Sequence, residues 1–308
     1  MVTEPTTPLL CMRTEVGHFL ENLYMSLKKP LSISDQLDLL HARGMIIDDF
    51  TKAHTFLECN HYYRLNIYFH KFMDSPDHFK DGIQFSQIIS VYENDRWLRN
   101  KILSILERIE IETRTRISYY LALTYGSSAL YDNSNFKDNG KYNEFLQKFN
   151  QEIAHNRQDP VVIHHQQKYG GQFPVWVAIE YLSFNTLSKL YKNLLERDKK
   201  VIANGFYKTN DYLLGQWLHV LSILRNICAH YGYLFHRKFS IRPIIPKIFK
   251  WKPSQNSKLF AQFLVISSLS DRIIWESFMQ ELIAAEKNRE GFDLTDYGFP
   301  RDWHSYLC

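Results

Sequence analysis

The chain has 308 residues, 45% of them hydrophobic, with 37 Lys and Arg against 33 Asp and Glu. That length is enough for one large domain or two small ones, and the apolar share allows a sizeable core. A formal net charge of +4 is too small to imply a nucleic-acid partner by itself. Cys11, Cys59, Cys228 and Cys308 form no CxxC pair, which argues against a thiolate zinc site and fits a reducing compartment. There is no run of about 18 apolar residues and no basic-then-apolar N-terminus, so neither a membrane span nor a signal peptide is expected, and the cytoplasm is the expected location.

Residues 1–10 offer little to bury. A short amphipathic helix is expected over 11–28, broken by Pro30. Ser34 is placed to cap a helix through His41 with Gly44 as its stop, and Asp48 or Asp49 to open another toward Cys59. Residues 74–83 read as a loop. They mark the boundary between an N-terminal helical region, 1–80, and a main domain, 81–308. Residues 85–125 carry a long helical pattern laced with charges. Pairs such as Glu112 and Arg116 support it at i,i+4, and most of these charges read as a solvated face.

A polar loop over 126–139 and a short helix over 142–156 follow. His164 and His165 point apart on a helix, with no carboxylate three or four residues off, so no metal site is expected. One helix is predicted from about 174 to 196, opened by Pro174 and with Trp176, Ile179, Leu182, Leu187 and Leu190 as its apolar stripe, with a connector at 201–209. Residues 238–252 read as an extended Arg/Lys/Pro-rich arm whose alternating basic and aromatic residues suit an RNA groove; a solvated loop is the equal alternative. A final helix over 259–286 and a Gly/Pro/aromatic tail close the chain.

The chemistry concentrates in a helix that opens near Asp211. At 100° per residue, Leu213, Leu214, Trp217, Leu221, Leu224, Cys228 and Tyr231 form one apolar arc. Gln216, His219, Ser222, Asn226 and His230 fall opposite, Arg225 sits at the border, and Gly232 permits a turn. An Arg holds phosphate through paired hydrogen bonds and a His moves protons near neutral pH. The Arg-x4-His spacing alone is uninformative, since Arg13 and His18 share it without a helical stripe. Asn226, the long amphipathic helix and the basic His236, Arg237 and Lys238 give it context. The competing account is an Arg salt-bridged on the helix flank and a His capping the last carbonyls.

Arg225-Asn226-Ile227-Cys228-Ala229-His230 resembles the R-N-x-x-x-H form of the HEPN ribonuclease motif. The wider chain is similar to abortive-infection proteins of the AbiD/AbiF type, through 29–44, 61–68, 173–191 and 298–303. The resemblance implies an all-α protein, a HEPN-type helical bundle with an N-terminal helical extension. It implies a metal-independent endoribonuclease, without cofactor, that works in phage defence. Its catalytic residues would be Arg225, Asn226 and His230. Arg114, Arg116, Tyr231, His236, Arg237 and Lys238 are the candidate RNA-binding residues. The implied partners are an RNA substrate, a regulatory RNA or protein antitoxin, and a second copy of the chain whose motif faces the first. Two other readings stay open: a non-catalytic RNA-binding protein, and a helical interaction protein with no nucleic acid.

Overall fold

The computed structural model describes residues 29–307 and is all-α, with one two-stranded antiparallel sheet among the described residues. The helix expected over 11–28 lies outside those residues. The described residues divide into two compact units: one holds 29–64 together with Phe72–Phe85, the other Leu65–Lys71 and 86–307.

In the first unit, α1 (Ile33–Ala42) begins two residues earlier than expected. Ser32, not Ser34, is its cap, and a reciprocal bond pair with Asp35 completes a capping box. Asp49 caps α2 (Phe50–Cys59) by accepting from the Lys52 amide. The expected loop over 74–83 is a small hairpin, β1 (Met73–Ser75) paired with β2 (His78–Phe79). Helix α3 (Tyr62–Phe69) begins in this unit and ends in the other.

The second unit is built on α4 (Phe85–Tyr125), a helix of 41 residues, as the long periodic pattern predicts. Helix α5 (Asn139–His155) and α6 (Pro160–Tyr169) follow, the latter with Pro160 in its first turn and Gly170 at φ 59° closing it. The single helix expected over 174–196 is two. The first, α7 (Val175–Ala178), runs into a 3-10 turn, Ile179–Tyr181. Leu182 is then extended, and Ser183 caps α8 (Phe184–Asn193) through the Thr186 amide. Trp176, assigned to the buried stripe, is exposed. Most of the expected connector at 201–209 belongs to α9 (Glu196–Tyr207), with Lys208 as its C-cap.

Helix α10 (Asp211–Ala229) packs against α8, α9 and α11 (Leu259–Leu269). Helix α11 is buried on nearly every side, as expected of a helix with no polar face. The predicted helix over 259–286 breaks at an extended Ser270, after which Asp271 caps α12 (Arg272–Asn288) through the Ile273 and Ile274 amides. A last short helix, α13 (His304–Leu307), packs on α11. Among the described residues, no helix is long and apolar enough to cross a membrane.

One buried carboxylate fixes where the chain goes after α10. Asp95 of α4 is fully buried. It accepts from the Leu234 and Phe235 amides at 3.0 Å each and from the Tyr68 hydroxyl at 2.7 Å, and it pairs with Arg99. Burial raises the Asp95 carboxyl above its usual range, against the opposing pull of Arg99, Tyr68 and the two amides. These charges sit in the core register of α4 with Ile102, Leu106, Ile109, Thr113 and Ile117, so the solvated-face reading fails at Arg99. Removing the carboxylate strands a buried guanidinium and two amides, so Asp95→Ala is expected to cost about 3–5 kcal/mol. Urea unfolding measures it, and a loss below about 1 kcal/mol would mean that the cluster holds nothing in place.

Candidate functional site

Asn210 opens α10 by accepting from the Leu213 amide at 2.8 Å. The predicted apolar arc is buried at Leu214, Trp217, Leu221, Leu224 and Cys228. Two assignments to the arcs reverse. Ser222, expected on the polar side, is fully buried and donates to the His219 carbonyl, whereas Tyr231, expected on the apolar side, is 71% exposed. The reversal at Tyr231 has a backbone cause: the helix has already ended. His230 is its C-cap, Tyr231 takes a left-handed φ of 60°, and the Gly232 amide bonds back to the Ile227 carbonyl at 2.8 Å. Gly232 therefore does not supply the positive φ. It supplies clearance, because a Cβ there would stand 3.0 Å from the Ile227 carbonyl oxygen.

Arg225 lies in the wall of a cleft of about 650 Å³ between α4 and the end of α10, with Ala229 beside it. Its Nε is 3.2 Å from a carboxylate oxygen of Glu110. The other Glu110 oxygen takes a 2.7 Å bond from Arg114, which also donates to the Leu182 carbonyl at 2.6 Å. That carbonyl is freed by the break between α7 and α8, so one guanidinium ties α4 to the helix break. Glu110 is 7% exposed and joins the two arginines. Arg225 also approaches the Asn226 side-chain oxygen at 3.5 Å. His230 is exposed just beyond the helix end, next to the cleft wall rather than in it.

The structure thus joins Arg225 and Arg114 through Glu110 and sets Asn226 beside Arg225, with His230 and the exposed Tyr231 following directly. It takes the other candidates elsewhere. Arg116 pairs with Glu112 and lies over the Tyr207 ring. His236 is held by Asp296 at 3.3 Å, and Arg237 covers the Tyr233 ring and donates to the Tyr233 carbonyl. Lys238 is exposed. The 238–252 arm does not run free: Gln216 donates to the Arg242 carbonyl and accepts from the Ile244 amide, and Trp217 donates to the Ile244 carbonyl.

The cleft carries the carboxylates Glu107, Glu110 and Glu180 as well as the two arginines, so it is not a simple cationic groove. Cys228 is no nucleophile here, since burial pushes its thiol up to about 12. Among the described residues, no group of three His, Cys, Asp or Glu side chains is placed to hold a metal ion.

The site is therefore an arginine–carboxylate cleft at the C-terminal end of a helix, followed by an exposed histidine, in an all-α protein. Residues 55–236, more than half of the chain, match the Abi-like protein family, and the chain belongs to that family. We found no match to it among curated proteins or among solved structures.

Glu110 and Glu112 separate a largely buried pair from a more open one on the same helix. Glu110→Ala leaves Arg114, 12% exposed, without its carboxylate, and about 3 kcal/mol of stability should go with it. Glu112→Ala breaks a pair about one-third exposed on each side and should change stability by less than about 1 kcal/mol. Equal urea midpoints for the two variants would contradict this assignment.

Proposed function

We propose that the chain is a metal-independent endoribonuclease of HEPN type, acting in abortive infection as its Abi-like family suggests. The observation that supports this best is the half-exposed Arg225, held by Glu110 in an open cleft immediately before an exposed His230. RNA carries its own nucleophile. In this reading His230 takes the proton from a 2′-hydroxyl, the freed oxygen attacks the adjacent phosphorus, and the bond to the 5′-oxygen breaks as that oxygen gains a proton. The products are a 2′,3′-cyclic phosphate and a 5′-hydroxyl. Arg225 holds the phosphate and offsets the charge that builds on it in the transition state. Asn226 orients the imidazole or the RNA. One imidazole shuttles one proton at a time, so a second copy of the chain facing the first would supply the other. The exposed Tyr231 and Lys238 extend the grip on RNA past the helix end.

A second reading, binding to RNA without cleavage, is favoured by the ion pair itself, because Glu110 already engages the Arg225 guanidinium. Incubation with total RNA in EDTA separates the two. Wild-type protein should leave cyclic-phosphate ends. Arg225→Ala and His230→Ala should each lose at least about 100-fold in rate while unfolding at the wild-type urea midpoint. Retention of RNA with no cleavage, and an affinity that falls steeply with salt, would instead establish binding. Full activity in His230→Ala would remove His230 from the mechanism.

A further inference from the structure

A second pocket, of about 340 Å³, lies between α5 and α8. Four lysines line it, Lys141, Lys148, Lys189 and Lys192, with one acidic residue, Glu144. Among the described residues, Lys148 finds only the neutral Gln151 amide, at 3.1 Å, and the other three lysines form no ion pair. The crowding is felt by its members. Burial and then the Lys141 ammonium pull Lys192 below the usual lysine range. Burial, then Lys192 and Lys189, pull His219 of α10 below the usual histidine range. Such a cluster repels itself, and an anion among the lysines would relieve that repulsion.

The remainder of the lining is of another kind. The Phe136 and Phe145 rings are nearly parallel with centroids 6.3 Å apart, and both are buried with Leu190. Asn185 and Gln147 line the pocket as well. An apolar floor, a few polar groups and a volume within about 300–1,000 Å³ are the marks of a small-molecule site. Four cations around so small a space match a compact chain of phosphates better than the widely spaced phosphates of a polynucleotide.

We propose that this pocket binds a small phosphorylated ligand of the nucleotide class, its phosphate chain among Lys141, Lys189 and Lys192 and its base against the Phe136, Phe145 and Leu190 floor. The pocket adjoins the helix that carries Arg225. Lys192 lies along Gly215 of α10, where a Cβ would meet its Cγ at 3.4 Å, and Gly215 precedes Arg225 by about 15 Å of helix rise. The proposal does not rest on the ribonuclease reading, since its test reads binding.

Calorimetric titration of the full chain with ATP, with inorganic tripolyphosphate and with a short RNA oligonucleotide tests it. ATP should bind, tripolyphosphate should displace it, and added salt should weaken both. The Lys189→Ala/Lys192→Ala double variant and, on the other wall, Lys141→Glu should each lose about tenfold or more in ATP affinity. Lys189→Arg/Lys192→Arg should retain it, and Arg225→Ala should bind as wild type does. No binding of ATP at millimolar concentration overturns the proposal. So does undiminished affinity in folded double and Lys141→Glu variants, and so does a double variant that loses RNA alone.

Discussion

The bonds from Asp95 to the Leu234 and Phe235 amides constrain more of this structure than any other contact. A chain leaving a helix end has many routes, and here a carboxylate in the core selects one. The choice is enforced by desolvation. A buried carboxylate and guanidinium are tolerated only when every lone pair and proton finds a partner, and Tyr68, Arg99 and the two amides provide them. Fifteen residues along α4, or about 22 Å, Glu110 engages Arg225. The segment from Arg225 to Phe235 is therefore held at both ends by one rigid helix, and His230 lies in the stretch between the two fastenings.

Glu110 has two effects on the candidate site. It orients Arg225, whose long side chain would otherwise sample many rotamers, and so reduces the entropy lost on gripping a ligand. It also competes with any phosphate for the same guanidinium. The half-exposure of Arg225 suits this balance, since screening by water weakens the pair enough for an anion to share the cation. Arg114 differs. It is only 12% exposed, bonded to Glu110 and to a carbonyl, and serves as a brace between α4 and the α7–α8 break.

The helical class, the span of α4 and the place of α10 were legible because they rest on periodicity over many residues. The boundaries were less so. The stripe through Trp176, Ile179, Leu182, Leu187 and Leu190 looks continuous, yet the five-residue step from Leu182 to Leu187 spans a break that Ser183 caps. Arg99 and Glu110 read as surface charge because charged residues seldom enter cores, yet both are buried. The signal for Arg99 was positional: 95, 99, 102, 106, 109 and 113 keep a three–four rhythm, and a charge in that register belongs inside. The cleft pairing of Arg225 with Glu110 joins residues over a hundred positions apart, which no local pattern encodes. The lysine pocket is likewise assembled from two helices, and no local pattern joins their lysines.

The arm after α10 is tethered in a way that has an evolutionary side. Gln216 and Trp217 bond its main chain at Arg242 and Ile244, not its side chains. Every residue but proline presents the same amide and carbonyl, so the path of the arm does not depend on which side chains it displays. Substitutions along its exposed positions, such as Ile248, can change charge and shape while the route stays fixed. The tether separates where this strand of chain lies from what it presents, so its surface is free to diverge faster among related proteins than the helix that holds it.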